Sequence, residues 1–149
     1  MAGSEPTPDN MAAQLPVHQI FVNLPVADLA RSVDFFTRLG FSFDPRFTDD
    51  SATCMLVGER IFVMLLTRDR FATYTRKPVA DAQVSTEVLL AVSLESREAV
   101  DRMVSAAVSS GGSLYDEPKD HGWMYQHSFA DPDGHQWEVM HADMTRFQG

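Results

Sequence analysis

Apolar residues in the first half of the chain follow the order of a strand, a helix and three further strands. Residues 17–25 (VHQIFVNLP) are rich in β-branched and aromatic side chains and end at a proline, which predicts a strand. Behind Asp28, a typical N-cap residue, apolar side chains recur at helical spacing up to Gly40, where a left-handed C-cap is expected. Three apolar segments between residues 41 and 67, separated by turns, predict short strands. This half therefore predicts a β-α-β-β-β module at about residues 17–67.

The same order of elements returns in the second half, after a charged segment at residues 68–84 that fits a linker with a short helix. A strand is predicted first, followed by a helix with Ser96 as its N-cap and an apolar stripe at i, i+3, i+4 spacing that stops at Gly111 and Gly112. Two more strands follow, joined by a DPDG turn. The strands predicted in this half are residues 86–94, 123–130 and 135–141.

In both halves the first strand, the N-cap of the helix and the glycine that ends the helix follow in the same order. An internal duplication of about 70 residues explains the match, with the second module at about residues 85–141. A generic α+β sandwich, in which two strand–helix pairs recur by chance, is the alternative. With 149 residues and 44% apolar composition, the chain suits a single domain, which we place at residues 15–145. Residues 1–14 are expected to form a disordered tail.

Charge and cysteine content restrict the classes of partner. The chain carries 21 acidic and 12 basic residues, a formal net charge of −9, which disfavours nucleic acids and anionic membrane surfaces as partners. Cys54 is the only cysteine, so neither an intramolecular disulfide nor a CxxC metal cluster can form. No segment approaches the roughly 20 apolar residues that a membrane span needs. We therefore expect a cytoplasmic protein.

Two motifs about a hundred residues apart resemble those of a known superfamily. The segment LPVADLARSVDFFTRLGF (residues 24–41), followed by FADPDGHQWEV (residues 129–139), is similar to members of the glyoxalase/bleomycin-resistance/extradiol-dioxygenase superfamily, also called vicinal oxygen chelate. Within it, the motifs resemble those of predicted lactoylglutathione lyases. The resemblance covers about residues 17–141. It implies an α+β fold in which two βαβββ modules form curved mixed sheets around a cavity, and it implies a homodimer.

Many members of this superfamily hold a divalent metal such as Ni, Zn, Mn or Fe, which acts as a Lewis acid on a bound substrate. The resemblance places the four ligand positions near Phe21, Leu65, Leu89 and Glu138. A shift of one residue in the alignment would put Met64 in place of Leu65 and still supply no typical ligand for a hard metal. Only Glu138 has a side chain that binds metal, so the usual site is largely missing. Glu87 lies two residues from Leu89 and shares its face on a regular strand, which makes it the best substitute ligand.

Further candidate residues come from the two last predicted strands. A four-residue turn at residues 131–134 sets His127 directly opposite Glu138, where the two can act as general acid and base or bind a polar substrate group. A purely structural His–Glu pair is the alternative. Aromatic residues of these strands, Tyr125 among them, line either a pocket or the core. The candidate ligand-binding residues are Phe21, Asn23, Leu65, Glu87, Leu89 and Tyr125.

Three classes of function follow from this sequence. The leading hypothesis is a protein that binds a small organic molecule in a sheet-lined cavity, as bleomycin-resistance proteins do, without the usual metal site. The alternative is a metal-dependent lyase or isomerase like the lactoylglutathione lyases, or a dioxygenase, with an atypical site that uses Glu138 and His127. A structural or partner-binding domain is the third class, which a cavity filled by side chains would favour.

Overall fold

The computed structural model describes residues 16–147 of the chain. The tail predicted at residues 1–14 lies outside this range. Within it, no helix has the length and apolar character that crossing a membrane requires.

The first module forms a four-stranded mixed sheet, the first sheet, with strand order β1-β4-β3-β2. The outer strand β1 runs parallel to β4, and helix α1 supplies the crossover that a parallel pair requires. The other pairs are antiparallel. The elements are β1 (Ile20–Val26), α1 (Leu29–Arg38), β2 (Ser42–Asp44), β3 (Ala52–Gly58), β4 (Ile61–Thr67) and the short helix α2 (Arg68–Ala72).

The second module repeats this arrangement in a second sheet with strand order β5-β8-β7-β6. Strand β5 is parallel to β8, and the remaining pairs are antiparallel. The elements are β5 (Leu89–Ser93), α3 (Arg97–Ser109), β6 (Lys119–Asp120), β7 (Met124–Ala130) and β8 (Gln136–Ala142). Both modules therefore have the predicted βαβββ order, and the α+β class is confirmed.

The helix boundaries follow from local signals that the sequence predicts. Asp28 accepts a hydrogen bond from the backbone N–H of Arg31 at 3.0 Å, and Ser96 accepts one from Ala99 at 3.0 Å, as N-cap residues do. At the other ends, Gly40 and Gly111 have φ angles of 104° and 108°. These caps fix where each helix starts and stops, and so which side chains face the sheets.

Side chains of both modules contribute to one hydrophobic core. Phe36 of α1 packs on Trp137 of β8 with ring centroids 5.3 Å apart, and Phe35 lies 6.0 Å from Phe129 of β7. All four side chains are at most 1% exposed. The helices thus pack on sheet faces from both modules, and the opposite face of each sheet remains open.

The DPDG turn of the second module is bound to the start of α1 by buried polar contacts. Asp133 is 6% exposed and accepts hydrogen bonds from the Ala27 N–H at 2.8 Å, the Arg31 guanidinium at 3.3 Å and the Ser32 hydroxyl at 3.3 Å. Nε2 of His135 donates to the Pro25 carbonyl at 2.7 Å. These contacts hold the end of β1 beside the start of β8.

Candidate functional site

The open face of the first sheet is largely apolar. Phe21 pairs with Phe62 across β1 and β4, and their rings stack with centroids 4.7 Å apart. Asn23 pairs with Met64 on the same face. Phe21 is 49% exposed, so the described part of the chain leaves this aromatic surface half open to solvent.

The predicted position of Leu65 on the cavity side is wrong. Leu65 is 0% exposed and lies in the hydrophobic core, opposite Leu24 of β1. Because successive side chains of a strand point to opposite faces, a one-residue error reverses the face. Met64 is the β4 residue that shares the open face with Phe21 and Asn23.

On the second sheet, Leu89 pairs with Gln136 and Ala91 pairs with Glu138, so these side chains share the open face. Leu89 is 53% exposed. Strand β5 begins at Leu89 rather than at residue 86, so Glu87 lies in an exposed bend before it. The prediction that Glu87 shares a strand face with Leu89 is wrong, because it assumed a regular strand that already includes residue 87.

The predicted pairing of His127 with Glu138 is also wrong. Strands β7 and β8 are joined by five residues, closed by a hydrogen bond from the Asp131 N–H to the His135 carbonyl at 2.9 Å. This sets Ser128 opposite Glu138 and moves His127 opposite Val139, on the face that α3 covers. The two side chains therefore point to opposite faces and cannot share a proton directly.

Tyr125 lies on the helix-covered face as well. Its hydroxyl donates to Asp101 of α3 at 2.6 Å, and the Arg97 guanidinium lies 5.2 Å from its ring centroid. Tyr125 therefore fastens α3 to β7 rather than facing the open side of the sheet.

Several polar side chains surround Glu138 on the open face of the second sheet. We call Glu138, Gln126, Ser128 and Tyr115 the Glu138 cluster. Nε2 of Gln126 donates to Oε2 of Glu138 at 3.2 Å. Burial raises the pKa of the Tyr115 phenol, the neighbouring Ser128 side chain lowers it, and the negative charge of Glu138 raises it further. Three of these residues were missed from sequence, although the correct strand register alone places Gln126 and Ser128 beside Glu138.

The segment between α2 and β5, residues 73–88, crosses from one module to the other, and we call it the strap. It is fastened to the β7–β8 loop and to β8 by side chains: Gln83 donates to the Pro132 carbonyl at 3.0 Å, and Thr86 donates to the Gln136 side chain at 2.6 Å. A Cβ atom at Gly134 would lie 2.8 Å from the Ala82 carbonyl oxygen. Only glycine therefore permits the strap to lie this close to the loop.

A cavity of about 340 Å³ lies beneath the strap, and we call it the strap cavity. Its walls come from β1, α2, the strap and the start of β8. Its polar lining includes two of the predicted ligand-binding residues, Asn23 and Glu87, which the fold brings together although they are far apart in sequence. Lys77 and Gln136 also line it. The main apolar residues are Val22, Pro25, Phe71, Val79 and Val88.

Glu138 lies just beyond this lining. It is two residues from Gln136 on the same face of β8, a separation of about 7 Å along a strand. The Glu138 cluster therefore lies near the Gln136 end of the strap cavity, outside its lining. Of the other predicted site residues, Phe21 and Leu89 lie on the open faces near the cavity, outside its lining.

The donor atoms at the four implied metal positions do not fit a chelated divalent ion. With Met64 in place of Leu65, these positions hold two apolar hydrocarbon side chains, one thioether and one carboxylate, Glu138. Ni, Zn, Mn and Fe need several nitrogen, oxygen or thiolate ligands. Residues 16–147 contain no group of three His, Cys, Asp or Glu side chains arranged to hold a metal ion. The side-chain N–H of Gln126 that faces Glu138 is a hydrogen-bond donor, so this nitrogen cannot bind a metal ion.

Comparison with known proteins supports the interpretation of the fold. The family model described as "Glyoxalase/Bleomycin resistance protein/Dioxygenase superfamily" matches residues 18–139. A search of curated proteins finds no match. A hypothetical protein from S. aureus is 25% identical, with a TM-score of 0.73 over 89% of this chain and 100% of that one.

Two further solved structures share the fold at lower identity. A glyoxalase/bleomycin resistance protein/dioxygenase family enzyme from Burkholderia phytofirmans is 17% identical, with a TM-score of 0.68 over 82% of this chain and 96% of the other. A bleomycin resistance determinant encoded on the transposon Tn5 is 18% identical, with a TM-score of 0.58 over 85% and 99%. Because the family model spans most of its length, this chain belongs to the glyoxalase/bleomycin resistance protein/dioxygenase superfamily.

Proposed function

We propose that the protein binds a small organic molecule in the strap cavity. The observation that carries this proposal is the cavity itself: about 340 Å³, walled mainly by apolar side chains, with Asn23, Glu87, Lys77 and Gln136 at its lining. Small-molecule sites are typically hollows of this size that combine apolar walls with a few polar groups. The apolar walls supply affinity, and the polar groups select the ligand.

Binding of the neutral fluorescent probe N-phenyl-1-naphthylamine tests this proposal. We expect the wild type to enhance the probe's fluorescence saturably. Val79→Trp fills the cavity from the strap and is expected to weaken binding at least about tenfold, because an indole takes the space of the ligand. Val108→Trp adds the same side chain at an exposed position of α3 and should leave binding unchanged. Equal binding by both variants would place the probe elsewhere and refute the proposal.

The enzymatic alternative has less support from the geometry. A metal-dependent lyase, isomerase or dioxygenase needs a coordinated ion, and the four implied positions supply one suitable ligand, Glu138. His127 faces α3, so it does not assist Glu138 as a direct acid–base partner. The likeness to lactoylglutathione lyases rests on the two sequence motifs. We therefore propose binding, without metal-dependent catalysis, as the function.

We also propose that the protein forms a homodimer in the cytoplasm. Half-exposed aromatic and aliphatic side chains on both open faces, Phe21 and Leu89 among them, support association with a second copy. The cytoplasmic location is supported by Cys54, which is buried and free and so needs no oxidising compartment.

A further inference from the structure

We propose that the Glu138 cluster recognises a primary ammonium group, so that the ligand of the strap cavity is an apolar primary amine. This inference rests on the proposed binding function and assigns a chemical class to the ligand. The amine would contact Glu138, and its apolar part would extend past Gln136 into the cavity.

The first argument is the charge on Glu138. Among residues 16–147, no Lys, Arg or His side chain lies within 4.0 Å of its carboxylate. The side chain is half-buried, where a lone charge is less well solvated than at the surface. A cation on the ligand would supply the missing opposite charge.

The second argument concerns which cation the carboxylate can take. Oε2 accepts the Gln126 N–H at 3.2 Å, while Oε1 accepts no hydrogen bond from the described side chains. A guanidinium binds a carboxylate best through both oxygens at once, whereas an ammonium is a compact charge that needs only one. Gln126 already uses one acceptor site of Oε2 while Oε1 is free, so an ammonium can bind through Oε1 alone without competing with the Gln126 bond.

The third argument is access. Ala91, directly opposite Glu138 on β5, is small and exposed, so a ligand can approach the carboxylate from that side. On the other side stand Ser128, which is buried, and Tyr115, which is 37% exposed and whose hydroxyl oxygen can accept a further N–H bond from a primary ammonium. The cluster thus presents one charged acceptor, Glu138, and one accessible neutral acceptor, Tyr115, near the cavity.

Glu87 is the competing partner for a cation, because it lines the strap cavity and also carries a free carboxylate among the described residues. It lies in an exposed bend, where water solvates its charge and screens its attraction to a ligand. We therefore assign the ammonium to Glu138, and Glu87→Gln tests the competing position.

Isothermal titration calorimetry at low ionic strength with three probes of one shape tests the assignment: 4-phenylbutylamine, its N,N,N-trimethyl derivative and 4-phenyl-1-butanol. We expect the wild type to bind the amine about tenfold tighter than the alcohol and tighter than the trimethyl derivative. Glu138→Gln should lower amine affinity about tenfold and leave alcohol affinity unchanged. Glu87→Gln should lower amine affinity much less than Glu138→Gln does. Glu59→Gln, in the exposed turn between β3 and β4, is the control and should change neither affinity. Circular dichroism checks that all three variants are folded.

The outcomes separate this inference from the proposed function. If the alcohol and the amine bind the wild type equally, or if Glu87→Gln alone weakens the amine, the cavity binds ligands but the assignment to Glu138 is wrong. If the trimethyl derivative binds as well as the amine, the N–H groups are not recognised and the ligand is not a primary amine. If none of the three probes binds while N-phenyl-1-naphthylamine does, the inference alone fails. If no probe binds, the proposed function fails with it.

Discussion

At the scale of single residues, the protonation state of the Tyr125 phenol is coupled to the stability of the fold. Its hydroxyl donates to Asp101 at 2.6 Å. This bond, burial and the negative charge of Asp101 raise the pKa of the phenol from 10.0 to about 12, although Arg97 opposes them. Because the folded pKa lies above the unfolded value, the neutral phenol stabilises the fold below pH 10.0, and this contribution disappears as pH rises through about 12.

Ultraviolet difference absorbance against pH is expected to show the Tyr125 phenol titrating near 12. In Asp101→Asn that titration should move back toward the ordinary pKa, because the accepting carboxylate and its charge are gone. Asp34→Asn, an exposed change on α1, serves as the control and should leave the curve as in the wild type. A Tyr125→Phe curve that still contains the late titration would show that another group produces it.

Which residues share a face of one strand could be predicted from sequence. Which residues lie opposite each other on two neighbouring strands could not. Phe21 and Asn23, two residues apart in β1, share a face because successive side chains of a strand alternate. The position of Leu65 was off by one residue, and the pairing of His127 assumed a four-residue loop where the chain uses five. Loop length depends on the buried hydrogen bonds of Asp131, which no local pattern reveals. A single residue of error then reverses a face.

At the scale of elements, the DPDG turn is the main polar link between the modules. Asp133 is buried and accepts from the Ala27 backbone and the Ser32 hydroxyl. Removing this acceptor leaves the buried Ser32 hydroxyl and the part-buried Ala27 N–H without this partner, which costs more than the hydrogen bonds themselves contribute.

Asp133→Ala is therefore expected to lower the free energy of unfolding by about 2–3 kcal/mol. Urea unfolding followed by tryptophan fluorescence measures the loss. Asp34→Ala removes an exposed carboxylate that pairs with Arg38, and its effect should be much smaller. Similar losses in the two variants would mean that the turn does not hold the modules together.

Most helices and strands could be predicted because their signals are local. Caps and apolar periodicity define α1 and α3, and alternation defines β7 and β8. Strand β6 has only two polar residues and no pattern of its own. Strand β5 begins later than predicted because Thr86 bonds the Gln136 side chain as part of the strap. The strap cavity depends on the path of the strap, which contacts with distant parts of the chain determine.

At the scale of the whole molecule, the two sheets present open faces that the described part of the chain leaves half exposed. Phe21 is 49% exposed and stacks on Phe62, and Leu89 is 53% exposed. Apolar surface of this kind is expected to be buried against a partner. In a symmetric dimer each open face would meet a face of the second copy, and the region around the Glu138 cluster would then become more enclosed.

Light scattering after size-exclusion chromatography is expected to give twice the mass of the 16.6 kDa chain. Phe21→Asp places a charge on the open face of the first sheet and should shift the protein toward monomer, because burying an unpaired carboxylate opposes association. Phe47→Asp makes the same change at a side chain that is 57% exposed in the turn after β2, and it should remain dimeric. A wild type that keeps the single-chain mass at every concentration would contradict the dimer. The strap cavity would then have to bind its ligand within one chain. The walls that β1, α2, the strap and β8 of that chain supply allow this, so the binding proposal would remain intact.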